Sequence, residues 1–230
     1  MARARPVSVL IVSAFAPELA PLVAWLNEPA RRALRARVAC VPAGIGAIEA
    51  AAGAAAAIAE RRPRVVLFVG TAGSYGATPA IGSVAVARRI CLAPTAVLRG
   101  EAYLPGPMTR EVSADAPLRR ALRGSGKTHV ADVATTIGIT RGRALAARIA
   151  TATGCTVENL EAFAVACAAG RAGTPFAAVL GVSNRVGPTA HREWLTHAAQ
   201  ATRAACSVIE RWLPSATAPS RAPPRSRRRA

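Results

Sequence analysis

The sequence predicts one α/β domain of three layers, with a central, mainly parallel mixed sheet flanked by helices. Three observations predict it. Short apolar runs rich in β-branched residues alternate along the chain with Ala-rich stretches at helical spacing. The chain has 230 residues and is 52% hydrophobic, enough for one sizeable core. Aromatics make up only 4%, so that core must be built from Val, Ile, Leu and Ala, which suits close helix–sheet contacts. The domain is expected over residues 1–213. Residues 214–230, rich in Pro, Ser and Arg, are expected to form a disordered tail.

Residues 7–13 form a continuous apolar run that suits a buried parallel strand. Pro17 permits a helix start, and Leu19, Leu22, Val23 and Leu26 follow at helical spacing. Residues 37–41 read as a second strand. Gly44-Ile-Gly46 turns into an Ala-rich helix ending near Arg61-Arg62-Pro63. Residues 65–69 read as a third strand, running into a Gly-rich turn, Gly70-Thr-Ala-Gly73. Residues 81–87 read as a fourth. Residues 90–110 lack periodicity and hold three prolines, which predicts loops or short strands and a candidate flap over a site. A short helix is predicted over 117–123, a strand over 128–135 and a helix over 142–152. A helix over 160–169, a strong strand over 176–183 and a closing helix over 188–213 complete the domain.

The formal charge of +18 would ordinarily point to nucleic acid. Here it is discounted. Lys127 is the only lysine, and the heavy Arg and Ala content reads as biased genome composition. Arg221, Arg225, Arg227, Arg228 and Arg229 have no aromatics interleaved, as a stacking platform requires. No specific nucleic-acid partner is expected, although weak non-specific binding at low salt is compatible with this charge. Cys40, Cys91, Cys155, Cys167 and Cys206 are odd in number, widely spaced and without a CxxC, so they read as reduced, buried small hydrophobes. His129, His191 and His197 lack ligand-like companions, and neither a metal nor a cofactor is expected. Arg3, Arg5 and the apolar residues after them imitate a secretory signal, but the run is short and Pro6 interrupts its start. The alanine-rich stretch 50–59 is too short to span a membrane and is flanked by Glu49 and Glu60. A cytoplasmic protein is expected.

Several motifs fail on inspection. Gly124-Ser-Gly-Lys-Thr128 resembles the end of a phosphate-binding loop, but the required earlier glycine is Ala121. Such a loop must also follow a strand and open a helix, and this one is predicted to do the reverse. Gly44-Ile-Gly46 lacks the third glycine of a dinucleotide fingerprint, since residue 49 is Glu. No Gly-x-Ser-x-Gly elbow occurs.

What survives is a constellation at predicted strand ends. Ser13-Ala-Phe-Ala-Pro-Glu18 follows the first strand, Gly70-Thr-Ala-Gly73 the third, and Ser183-Asn184 the last. In a parallel sheet these emerge at one edge, where α/β folds hold ligands. Glu161, at the start of the preceding helix, can reach the same edge. Taken singly, Glu161 and Glu18 could each be a first-turn acid facing a helix dipole, and Asn184 a turn residue. Trp194 is expected to pack inward from a helix start.

Over residues 7–212 the chain resembles the purine nucleoside phosphorylase and nucleosidase superfamily. The resemblance rests on Ala14-Phe-Ala-Pro-Glu18, Pro42-Ala-Gly-Ile-Gly46, Val69-Gly-Thr-Ala-Gly73, Ile81-Gly-Ser-Val-Ala-Val86, Glu158-Asn-Leu-Glu-Ala162 and Val182-Ser-Asn184, in order and at matching spacing. It implies a nucleoside phosphorylase-like fold and cleavage of an N-glycosidic bond through a sugar cation. By position, Glu161 resembles the carboxylate that binds the ribose hydroxyls, and Leu160 the apolar residue beside the sugar. Thr71, Ala72 and Gly73 resemble the segment against ribose and base. Glu18 resembles the general base that activates water, and Asn184 the residue facing N7 of the purine.

Adenine-cleaving members carry Asp at the position of Asn184. An amide cannot donate a proton outright, so Asn resembles the pattern for a 6-oxopurine, and the combination is most similar to the futalosine hydrolases of menaquinone biosynthesis. The loops lack the arginines that phosphorolysis uses to hold a dianion, which favours water. Relatives commonly have arginine at the position of Leu180, and its loss puts the positioning of water in question. Arg185 and Arg192 are candidates to pair with the aromatic carboxylate of futalosine. Methylthioadenosine/S-adenosylhomocysteine nucleosidase, purine nucleoside phosphorylase and a non-catalytic nucleoside-binding relative remain as alternatives. The resemblance also implies a homo-oligomer, with a small-molecule purine nucleoside as the partner.

Overall fold

The computed structural model describes residues 7–126 and 128–217. Strands and helices run in the order β1 (Val9–Ser13), α1 (Ala16–Leu26), α2 (Arg32–Arg35), β2 (Val38–Pro42), α3 (Ala47–Arg61), β3 (Val65–Ser74) and β4 (Val84–Leu92). Next come α4 (Thr95–Leu98), β5 (Glu111–Ser113), α5 (Ala116–Gly124), β6 (His129–Thr135) and α6 (Arg143–Thr153). The chain ends with β7 (Val157–Glu158), α7 (Ala162–Arg171), β8 (Phe176–Arg185) and α8 (Ala190–Thr217).

The sheet is mixed and mainly parallel, as expected. β1 lies between β2 and β3, parallel to both. β3 pairs parallel with β8 and antiparallel with β7. β6 pairs parallel with β7 and with β4, and β4 returns antiparallel to β8. Strands β3, β7, β6, β4 and β8 therefore close into a ring of pairings. β1 and β2 extend from it as a wing, and β5 lies antiparallel on β4.

Helices cover both faces. On one, Ala50, Ala54, Ala57 and Ile58 of α3 and the apolar side of α7 bury Phe68, Ala72, Leu180 and Val182. On the other, Leu19, Leu22 and Leu26 of α1, Leu118 and Leu122 of α5, and the inner side of α8 bury Leu67, Val69 and Val179. Small residues permit the close approach that composition suggested. A Cβ at Gly181 of β8 would lie 2.0 Å from the Ala201 carbonyl oxygen of α8. No side chain fits there, so Gly181 sets how closely α8 lies on the sheet.

Several expectations need correction. Gly70-Thr-Ala-Gly73 is not a turn; it is the second half of β3, held extended by pairing with β8. The fourth strand begins at Val84 and continues to Leu92, because Arg89, Ile90 and Cys91 pair with both β5 and β6. The stretch 90–110 accordingly contains a strand end and a short helix as well as loops. The closing helix passes through Pro214 to Thr217, so the tail does not begin at residue 214. Burial of Trp212, Leu213 and Thr217, and a bond from Thr217 Oγ1 to the Leu213 carbonyl at 2.9 Å, hold that last turn. The rest of the expected tail, 218–230, and the N-terminal Arg3, Arg5 and Pro6 lie outside the described residues. The Gly124–Thr128 motif follows helix α5 and leads into strand β6, the reverse of a phosphate-binding loop; its Lys127 is also outside the described residues. Cys91, Cys155 and Cys206 are buried, whereas Cys40 and Cys167 are only half-buried; all five are free thiols.

Gly181→Ala is expected to destabilise the fold by about 1–3 kcal/mol or more, because two backbones must move apart. Gly170→Ala, in α7 with nothing within 4 Å of the added Cβ, is expected to be neutral or to stabilise by about 0.4–1 kcal/mol. Denaturant midpoints check both, and equal midpoints would remove Gly181 from this role.

Candidate active site

Strand ends and helix starts converge as the topology requires. Glu18, Thr71, Ala72, Gly73, Leu160, Glu161 and Asn184 all line one cavity of about 350 Å³. Its lining includes no arginine or lysine among the described residues.

Glu18 sits in the first turn of α1 and is 5% exposed. Its Oε1 accepts hydrogen bonds from the Thr71 backbone N–H at 3.0 Å and the Thr71 hydroxyl at 3.2 Å. Its Oε2 is buried and has no partner among the described residues. A Cβ at Gly70 would stand 3.3 Å from both carboxylate oxygens, so the bare glycine leaves the space that the carboxylate occupies. Leu180 is the cross-strand partner of Gly70 and is fully buried in the apolar cluster beside it. Burial pushes the Glu18 pKa up from 4.5 to about 7, Thr71 partly opposes that shift, and the nearby Glu161 adds to it.

Trp194 of α8 takes part in this arrangement. Its indole Nε1 donates to Thr71 Oγ1 at 3.2 Å. An indole N–H only donates, so it occupies a lone pair of the hydroxyl and leaves the hydroxyl proton for Glu18. The ring also stacks on His191, with centroids 6.2 Å apart and planes at 11°.

Glu161 is held on both oxygens. Oε1 accepts from the Gly46 N–H at 2.9 Å, and Oε2 accepts from Asn159 Nδ2 at 3.1 Å. Burial still raises its pKa, with those donors opposing. Asn159 caps α7: its Oδ1 accepts from the N–H groups of Glu161 at 3.0 Å and Ala162 at 2.7 Å. Its Nδ2 also reaches the Thr71 carbonyl at 3.0 Å, tying the helix start to β3.

Asn184 lies at a register shift, where Gly73 pairs with Asn184 directly after Ala72 pairs with Val182. The Ser183 hydroxyl donates to Asn184 Oδ1 at 2.8 Å, and Asn184 Nδ2 donates to the Arg185 carbonyl at 3.1 Å. Turning the amide over would set Oδ1 against that carbonyl, two acceptors face to face. The orientation therefore leaves the second Nδ2 proton for the cavity.

Three contributors escaped sequence reasoning in these roles. Asn159 carried a usable signal, an Asn two residues before an acid at a helix start. Ser183 and Trp194 carried none, because their partners Asn184 and Thr71 are set by strand register and by the docking of α8. Arg185 and Arg192 do not line the cavity, and Arg185 instead donates to the Gly76 carbonyl at 3.2 Å. No residue of 90–110 lines it in the single chain.

The raised Glu18 pKa is linked to stability. Below pH 4.5 the carboxyl is neutral in both folded and unfolded chains; between 4.5 and 7 only the unfolded chain releases its proton. Stability from this group is thus full below 4.5 and lost as pH rises to about 7, by about 3 kcal/mol. Glu18→Gln is expected to gain on the parent protein across that window and to keep the gain at pH 8. Paired denaturation series check this, and a pH-independent difference would contradict it.

The comparisons bear on this geometry. The Phosphorylase superfamily profile matches residues 9–214. No match is found among curated protein sequences. Among solved structures, 5'-methylthioadenosine/S-adenosylhomocysteine nucleosidase from Helicobacter pylori superposes with a TM-score of 0.82 at 11% identity, covering 91% of this chain and 99% of that one. A futalosine hydrolase mutant from Helicobacter pylori gives 0.81 at 12% identity, with 91% and 99% covered. The methylthioadenosine/S-adenosylhomocysteine nucleosidase of Neisseria meningitidis gives 0.79 at 18%, with 90% and 99% covered. These likenesses establish the fold, and the profile match over most of the chain establishes that it belongs to the phosphorylase superfamily.

Proposed function

We propose that this chain is a purine nucleosidase that hydrolyses the N-glycosidic bond of a 6-oxopurine nucleoside, with futalosine as substrate and hypoxanthine as leaving base. On this reading it serves menaquinone biosynthesis in the cytoplasm, the compartment in which five free thiols are expected to persist. The observation that carries the reading is the Asn184 amide, fixed by Ser183 and the Arg185 carbonyl so that it offers an N–H.

An N–H donor at N7 stabilises a departing purine without supplying a proton. That suits a base whose anion is already delocalised over a 6-oxo group. Glu161 accepts from the ribose hydroxyls, because an ionised carboxylate has lone pairs beyond the two already used by Gly46 and Asn159. As the C1′–N9 bond breaks, its electron pair leaves with the base. Water adds to C1′ and gives its proton to Glu18 Oε2, the oxygen without a partner among the described residues; the purine anion takes a proton from solvent as it leaves, and Glu18 returns its proton to solvent. Water is preferred to phosphate because no arginine or lysine among the described residues lines the cavity to hold a dianion. The names of the similar solved structures, two nucleosidases and a futalosine hydrolase, support a hydrolytic reading. A second copy of the chain over the mouth is part of the reading, since Ile45 and Ile139 there are 66% and 59% exposed. A monomer in sedimentation would remove that part.

Incubation with futalosine, inosine and methylthioadenosine, each with and without phosphate, tests the reading through the base released. Hypoxanthine from futalosine without phosphate is expected. Adenine release would replace it with the methylthioadenosine alternative, and binding without turnover with the non-catalytic one. Because the base must be ionised, kcat/KM is expected to rise with pH through about 7. Glu18→Gln should lower kcat by about 10²–10⁴-fold with binding kept. Asn184→Asp should shift preference from hypoxanthine toward adenine nucleosides; an unchanged ratio would take base selection away from residue 184.

A further inference from the structure

Two of the five free thiols stand together, and neither lines the cavity that holds Glu18. Cys91, near the end of β4, and Cys155, just ahead of β7, are 6% and 3% exposed. They share a small apolar cluster with Ala93, Ala134 and Ile149. Their thiols lie within hydrogen-bond reach of each other. One guanidinium brackets the pair. Arg89 Nη1 donates to Glu111 Oε2 at 2.9 Å, and the Cys91 thiol donates to that same oxygen at 3.7 Å. Arg89 Nη2 donates to the Thr153 carbonyl at 2.7 Å, and the Cys155 thiol reaches that carbonyl at 3.9 Å. The proposed hydrolysis uses neither sulfur.

We infer that Cys155 and Cys91 form a covalent modification site, a dithiol that a peroxide closes into an intramolecular disulfide. The inference stands apart from the nucleosidase reading. Cys155 is the attacking sulfur. The Cys91 thiol, Thr153 and the Arg89 guanidinium hold its pKa below the usual thiol value, against burial and Asp132. Cys91 is pushed upward by Cys155, by burial and by the Glu111 carboxylate, with Arg89 opposing. In the first step the Cys155 thiolate attacks one peroxide oxygen. An S–O bond forms, the O–O bond breaks, and the released oxyanion takes up the proton that Cys155 gave to solvent. In the second step the Cys91 sulfur attacks the Cys155 sulfenic sulfur. An S–S bond forms, the S–O bond breaks, and the departing hydroxide takes the Cys91 proton and leaves as water. The two sulfurs lose two electrons and the peroxide gains them. A small oxidant enters past Arg89 and Glu111, whose side chains are 29% and 46% exposed; an ion pair so exposed parts readily. Cys155 stands in the loop between α6 and β7, so its sulfur can move toward Cys91 while β5 and β6 hold β4. The same loop leads directly into β7. Tyr75, packed on the cysteine cluster, donates to Glu158 Oε2 at 2.7 Å, and Glu158 Oε1 accepts from the Thr140 N–H at 3.0 Å. Glu158 and Thr140 line the cavity, so closure of the disulfide is transmitted to it.

The full chain, reduced and then exposed to equimolar hydrogen peroxide, tests this by intact mass and peptide mapping. The expected product has lost two hydrogens and carries Cys91 and Cys155 in one crosslinked peptide pair. Cys40, Cys167 and Cys206 should still alkylate after denaturation, and a thiol reductant should restore the parent mass. This mapping needs no variant to fold. Cys155→Ala should slow peroxide consumption about tenfold or more. Cys91→Ala should still react but stop at a Cys155 sulfenic acid, seen as a gain of one oxygen and captured by dimedone. Cys40→Ala, which removes a thiol elsewhere in the sheet, should leave rate and product unchanged. Three results would each overturn the site: crosslinks to another cysteine, a second oxygen on Cys155 of the parent chain in place of the bond, or equal peroxide consumption by the parent and Cys155→Ala. Hydrogen exchange then compares the reduced and oxidised chains. Faster exchange at the Thr140 N–H is expected once the disulfide forms. Unchanged exchange across 136–142 and 156–162 would overturn the link to the cavity and leave the disulfide standing.

Discussion

The pairing of β3 with β8 governs the rest. These strands run parallel through ten residues each, and their register slips once, between Ala72 and Gly73. Ser183 is the residue passed over. Bulges of this kind re-aim side chains beside active sites. Here the slip brings Asn184 opposite Gly73, where a Cβ would lie 2.8 Å from Asn184 Nδ2. It also leaves Ser183 within reach of the Asn184 oxygen. The bare Gly73, the skipped Ser183 and the inward amide are one structural event.

Beside the same strand pair, two buried carboxylates have unlike hydrogen-bond partners. Both lose solvation, and both pKa values rise for that reason. Glu161 is compensated on each oxygen by rigid donors, a backbone N–H and a capped Asn. Glu18 Oε1 is compensated twice over by Thr71, while Oε2 has no hydrogen-bond partner among the described residues. The first arrangement fixes the carboxyl group's position. The second leaves one oxygen able to take a proton near neutrality. Two acids in one cavity with unlike partners suit the division of binding and proton transfer proposed above.

Much of this was legible because strand ends and helix starts are local features. An acid after an apolar run, a Gly-x-x-Gly at a strand end and an Asn closing the last strand are visible to anyone counting residues. Features that depend on distant partners were not. Gly70-Thr-Ala-Gly73 looks like a turn on composition and is strand only because β8 lies beside it. β7 is two residues long and exists through pairing with β3 and β6. Pro214 signals a helix end, yet the burial of Leu213 and Thr217 carries the helix past it. Trp194 reads as core, and it is indeed half-buried. Its bond to Thr71 follows from the depth at which α8 docks, which Gly181 controls from a strand away.

Leu180 turns these constraints into a statement about rate. Resemblance places arginine at this position in related proteins. A guanidinium beside Glu18 would lower its pKa and help to hold water, at the cost of a weaker base. With leucine there, no guanidinium offsets the burial that raises the Glu18 pKa to about 7. Under the proposed hydrolysis the base itself, rather than a cation, holds the water; such a site gains basicity and loses orientation, and it depends more on the bound substrate to confine the nucleophile.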